Sequence, residues 1–163
     1  MKIGRLTISD RASAGVYEDR SGPEIERMLS EAFGGHAIFE AAVIPDERHL
    51  IAVRLREFTD QIRCDLVVTT GGTGIGPRDV TPEATRDVLE KELPGFGEAM
   101  RMQTLPKMKT AILSRATAGT RGGSLIVNLP GKPSAVGECL EILAPAIREA
   151  VSHLRGEDPH AGR

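Results

Sequence analysis

Cysteine is scarce in these 163 residues: Cys64 and Cys139 are the only two, they lie far apart, and no Cys-x-x-Cys pair occurs. That argues against a disulfide framework and against a zinc site, and suits buried thiols in a reducing compartment. Histidine is sparse as well; His36, His49, His153 and His160 are scattered and support no metal cluster. No apolar run approaches the ~20 residues that a membrane helix needs. The opening MKIGRLTISD alternates too soon for a secretory leader. Neither sign of charge dominates, since 21 basic against 23 acidic residues leave a formal charge of -2. Such a balance argues against a general electrostatic grip on DNA or RNA, while a local basic pocket for a small anion stays open. These absences predict a cytoplasmic protein with neither nucleic acid nor membrane as partner. The length predicts a single domain over residues 1–155, with 156–163 as a flexible tail.

What is present alternates between two periodicities. Lys2–Ile8 reads as a strand followed by a polar loop, and Ser21 with Glu24 stands at capping-box spacing around Pro23, so a helix starts there. Its apolar positions Ile25, Met28, Leu29 and Ala32 share one face, and Gly34-Gly35 stops it. Residues 37–44 read as a second strand, and Ile51, Leu55, Phe58 and Ile62 as the stripe of a second helix. Leu66–Thr70 is a short β-branched run before glycine, hence a buried strand. Thr81-Pro82 starts a helix expected to run to about Leu93, with a further helical piece after the Pro94-Gly95 break. A glycine turn at 121–123 joins an antiparallel or edge element to the strand Leu125–Leu129. Val136, Leu140, Leu143, Ile147 and Val151 mark the last helix. Strands alternating with helices predict an α/β fold of three layers, αβα, with a mostly parallel sheet and an antiparallel edge element.

In such a sheet the carboxyl ends of parallel strands share one edge, and ligands bind in the crevice there. The four predicted strand ends lead into Ser9, Asp10 and Arg11; into Pro45 and Asp46; into the loop from Gly71 to Asp79; and into Pro130, Gly131, Lys132 and Ser134. The third loop, TTGGTGIGPRDVTPEAT, is neither a Walker loop, lacking Gly-Lys-Ser/Thr, nor a dinucleotide fingerprint, since Asp79 stands where the third glycine is needed. Gly71, Gly72, Gly74 and Gly76 can instead turn their N–H groups toward a phosphate as an anion nest, with Thr70 and Thr73 adding hydroxyls. A flexible hairpin is the plainer alternative, and needs fewer glycines. Asp46 alone could cap the helix after it, and Asp79 alone could close a turn. Together beside a phosphate nest, the two could hold Mg²⁺, which takes one or two carboxylates plus phosphate oxygens. The segment NLPGKPSAV points a proline-started helix at the same crevice, offering free N–H groups to a second phosphate, or else merely a solvated Lys132. Arg11, Arg78 and Arg115 are individually surface charges, and Met100, Met102 and Met108 suit packing or an oligomer face.

The blocks ISDRASAGVYED, IPDE, TTGGTGIGPRDVTPEAT, PGFGEAMR, AILSRA and NLPGKPSAVGECLEIL resemble, in order and spacing, the MogA/MoaB family of molybdenum cofactor biosynthesis, from about Ile3 to Leu154. The resemblance implies a molybdopterin-binding (MogA/MoaB-like) fold and a homotrimer acting beside other enzymes of the pathway. It implies an Mg²⁺-dependent nucleotidyl transfer in which ATP and molybdopterin give adenylylated molybdopterin and pyrophosphate. It makes Asp46 and Asp79 the catalytic and metal-holding pair. Substrate binding falls to Ser9, Asp10, Thr70, Gly71, Gly72, Thr73, Gly74, Gly76, Glu98, Ser114, Arg115, Pro130, Gly131, Lys132 and Ser134. A MoaB-type protein that binds or carries molybdopterin without chemistry is the alternative. A pterin phosphate is anionic near neutral pH, so positioning and charge neutralisation, rather than a strong base, are the expected means of catalysis.

Overall fold

The computed structural model describes residues 1–157, and most of the tail expected at 156–163 lies outside the described residues. Six strands form one sheet: β1 (Lys2–Ile8), β2 (Ile38–Ile44), β3 (Leu66–Thr70), β4 (Lys91–Glu92), β5 (Ala118–Arg121) and β6 (Ser124–Leu129). Their order is β2-β1-β3-β6-β5-β4. The first four positions are parallel, whereas β5 pairs antiparallel with both β6 and β4. The chain leaves β1 for one side and returns across it to β3, so strand order reverses between β1 and β3 and opens a crevice at their carboxyl ends.

Each sheet face is covered by helices because each strand alternates its apolar side chains. Leu66, Val68, Leu125 and Val127 pack under α2 (Ser21–Ala32), α5 (Pro94–Thr104) and α6 (Pro133–Leu154). Leu6, Ile8, Val67 and Ile126 pack on the other face under α3 (Arg48–Arg56) and α4 (Thr81–Arg86), with Phe58 from the π-helical turn that extends α3. The chain is thus a three-layer α/β molecule, mostly parallel with an antiparallel margin, as the alternation predicts.

Three local expectations are corrected, two of them by partners distant in the chain. The segment after β1 is not a plain loop: Ser9 caps a one-turn helix α1 (Asp10–Ser13), its hydroxyl accepting from the Ala12 N–H. Ser21 forms no capping box. Its hydroxyl donates to the Gly131 carbonyl at 2.6 Å, and the helix start is satisfied by Asp19, which accepts from Gly22 N–H. The helix from Thr81 ends at Arg86 rather than near Leu93. Beyond it, Glu90 and Leu93 donate their N–H groups to Thr120 and Ala118, and β4 forms there; the helical piece expected after the Pro94-Gly95 break is α5, which takes Pro94 into its first turn.

One buried polar side chain joins three elements. Asn128, with no exposed surface, donates from Nδ2 to the hydroxyls of Thr69 on β3 and Thr85 on α4, and accepts from Thr117 N–H. Removing such a partner leaves buried polar groups unsatisfied, at about 1–3 kcal/mol each. Asn128→Leu is therefore expected to lower the unfolding free energy by at least ~1 kcal/mol in urea titrations. A change below a few tenths would show that the network adds nothing.

Candidate active site

The four carboxyl-end loops meet at the crevice. Thr70 donates its hydroxyl to the Pro130 carbonyl at 2.7 Å, joining the ends of β3 and β6. Gly71 has φ +99, and a Cβ there would collide with the carbonyl oxygen of Ile8 at the end of β1. Only glycine allows that approach. A Cβ on Gly131 would sit 3.3 Å from the Gly71 Cα, so the last loop leans on the same spot.

Asp46 and Asp10 lock the first two loops together. The Asp10 N–H donates to Asp46 Oδ2 at 2.8 Å, and the Asp46 N–H returns to Asp10 Oδ1 at 3.0 Å. Asp46 consequently does not cap α3, whose first turn has no side-chain cap. Arg78, on the glycine loop, forks onto both oxygens of Asp10 and reaches Glu47, tying in the third loop. Asp79 folds back so that Oδ2 accepts the Gly76 N–H at 2.9 Å, which shapes the loop while its carboxylate still faces the crevice.

Arg115 acts on this loop from below and is not a loose surface charge. Its backbone N–H donates to the Thr73 carbonyl, Nε to that of Gly74 and Nη2 to that of Asp79, while Nη1 pairs with Glu83. The guanidinium thus fixes the loop by its carbonyls. The N–H groups of Gly72, Thr73 and Gly74 have no hydrogen-bond partner among the described residues, which suits them to an anionic acceptor.

Two cavities flank the loop. One of about 530 Å³ is lined by Ser9, Asp46, Thr70, Gly71, Gly72, Asp79 and Gly131 from the expected set. A second, of about 400 Å³, holds Thr73, Gly74, Ser114, Pro130, Lys132 and Ser134, with Met100 and Met108 in its wall. Asp10 and Gly76 act on the first through Asp46 and Asp79. Glu98 is exposed on α5 and lines neither cavity. Sequence reasoning missed the strap from Tyr17 to Ser21, which walls the larger cavity and lies in a stretch with no periodicity to mark it. Among the described residues, no cluster of three or more His, Cys, Asp or Glu side chains is spaced to hold a metal ion.

Burial raises the Asp46 carboxyl above its ordinary range, and the like charges of Asp10 and Asp79 add to this against the Asp10 N–H and Arg78. Asp10 is lowered, first by its hydrogen bonds from Arg78 and then by the Asp46 amide. Asp46 therefore senses the charge of Asp79. Removing one negative charge favours ionisation of the other, so Asp79→Asn should shift the Asp46 titration to lower pH. Carboxyl ¹³C resonances followed through a pH series in metal-free buffer check this. A midpoint that stays or rises would contradict the coupling.

Residues 4–149 match the family model described as a probable molybdopterin binding domain. Curated relatives named molybdopterin adenylyltransferase include that of Helicobacter pylori J99, 54% identical over 94% of this chain and 88% of its own length. That of Escherichia coli K12 is 46% identical over 94% of this chain and 78% of its own. Among solved structures, the molybdopterin biosynthesis enzyme MoaB of Thermus thermophilus is 42% identical, with a TM-score of 0.87 over 96% of this chain and 97% of its own.

Proposed function

The chain belongs to the molybdopterin-binding-domain family, and on that premise we propose that it transfers AMP from ATP to the phosphate of molybdopterin, releasing pyrophosphate. The observation that carries the reading is that Asp46 and Asp79, from different loops, line one cavity together with Gly72, whose N–H has no hydrogen-bond partner among the described residues. An oxygen of the pterin phosphate attacks the α-phosphorus, the bond from that phosphorus to the bridging oxygen of the β-phosphate breaks, and pyrophosphate carries the charge away. No proton need be removed from the nucleophile. The protein's task is to bring two mutually repelling phosphates into line.

In this reading the amides of the glycine loop hold phosphate oxygens, and their fixed orientation stabilises charge without reorganisation. Asp46 and Asp79 would hold Mg²⁺ together with the substrate phosphates, a pair of carboxylates that suits an ion taking one or two of them. The chemistry such an ion would supply is charge neutralisation, against phosphate repulsion and the charge that grows on the leaving group. Asp10 and Arg78 keep Asp46 turned toward the cavity. Lys132, in the neighbouring cavity, supplies a cation for a second phosphate. Assembly as a homotrimer, contact with other enzymes of the pathway and a cytoplasmic address complete the proposal; they rest on the family resemblance. No helix among the described residues is long and apolar enough to cross a membrane.

Asp79→Asn should retain molybdopterin binding and lower the rate of pyrophosphate release about 10²- to 10³-fold, the range for losing one preorganised electrostatic group. Chelation of divalent ions should abolish release by the unaltered protein, with magnesium restoring it. Pyrophosphate release at the parent rate in Asp79→Asn would refute the assignment. Molybdopterin binding without any Mg²⁺-dependent release would instead indicate a binding or carrier protein.

A further inference from the structure

The protein contains no tryptophan and a single tyrosine. That tyrosine, Tyr17, stands in the wall of the 530 Å³ cavity, where every other lining side chain is aliphatic, hydroxyl-bearing, charged or proline, or is glycine with none. It is held from two directions. Its hydroxyl shares a 3.0 Å hydrogen bond with Ser9 Oγ at the end of β1, and the Arg11 guanidinium carbon lies 5.5 Å from the ring centroid. Two residues later the strap is anchored by Asp19, which accepts from Thr7 Oγ1, Arg5 Nη1 and the Gly22 N–H. Even so, Tyr17 is 48% exposed.

A half-exposed aromatic ring held in a cavity wall is not packed into the core. Leaving apolar surface in water is unfavourable, and a flat heterocycle laid on the ring would cover it. The phosphate-binding amides proposed above belong to the same cavity, through Gly72. A ligand with an anionic group at one end and an aromatic ring at the other fits both.

We propose that Tyr17 is a stacking platform for the aromatic heterocycle of a phosphate-bearing substrate, a purine or a pterin, with Arg11 and Ser9 as positioning residues for the ring. The inference rests on the functional reading above, since it takes that reading's substrates as its ligands. Base–aromatic stacking is worth about 1–3 kcal/mol, which corresponds to roughly 5- to 150-fold in affinity.

Because Tyr17 is the only fluorophore of its kind, tyrosine emission reports on this ring alone. ATP with Mg²⁺ and molybdopterin are titrated separately, with emission and calorimetric affinity both recorded. Whichever ligand stacks should quench the emission, and Tyr17→Leu should weaken that ligand about tenfold or more while Tyr17→Phe stays within about threefold of the parent. Inorganic tripolyphosphate, which has phosphates and no ring, should bind equally to the parent and to Tyr17→Leu. Quenching by ATP alone identifies the purine, and by molybdopterin alone the pterin. If both ligands bind in calorimetry while neither quenches nor responds to Tyr17→Leu, the platform is refuted and the transfer reaction stands. A Tyr17→Phe defect as large as that of Tyr17→Leu would refute it too, by assigning the effect to the hydroxyl. If neither ligand binds at all, the transfer reading and the platform fail together.

Discussion

The site depends on one close approach of backbone to backbone: Gly71, at φ +99, rests against the carbonyl oxygen of Ile8. No side chain fits between them, so the end of β3 can close over the end of β1 only with glycine at that position. Three further contacts build on it. Gly131 lies against Gly71, Thr81 donates its hydroxyl to the Gly71 carbonyl, and Thr70 reaches across to Pro130. Loops from separate parts of the chain thereby meet at the reversal of strand order.

Once the loop is closed, its polarity is sorted by face. Arg115 takes up carbonyls of Thr73, Gly74 and Asp79, Asp79 takes the Gly76 N–H, and the amides from Gly72 to Gly74 are left pointing nowhere else in the described structure. A cation beneath the loop and open N–H groups on it make an environment suited to phosphate. Asp10, Asp46 and Asp79 would repel that phosphate on their own. Burial raises Asp46 first, the like charges of Asp10 and Asp79 add to it, and the divalent cation proposed above would relieve both. Carboxylates, amides and cation make sense as a set, for a reaction in which charge must be gathered and then released.

Much of this was legible in the sequence where the signal is local. The bounds of β1 and β3 follow from apolar runs ended by polar residues and glycine, and the helix after Lys132 from its 3.6-residue rhythm. Convergence of the loops followed from the alternation of strands and helices, because parallel pairing puts strand ends on one edge. What could not be read depends on partners distant in the chain. Ser21 looks like a helix cap, yet its hydroxyl goes to Gly131. The segment after Arg86 looks helical until β5 pairs with it. Arg115 resembles any surface arginine, and its role as a clamp exists only in three dimensions. Tyr17 lies in the block ISDRASAGVYED, yet no periodicity marks its ring as part of a cavity wall, and the division of the binding residues between two cavities is encoded by no spacing.

The central claim is that the open amides of the glycine loop receive phosphate. Amide hydrogen exchange at Gly72, Thr73 and Gly74, with and without ATP and Mg²⁺, tests it at the atoms concerned. The account predicts that these amides exchange fast in the free protein and are strongly protected in the complex. Unchanged exchange at all three, under conditions where ATP is bound, would contradict it.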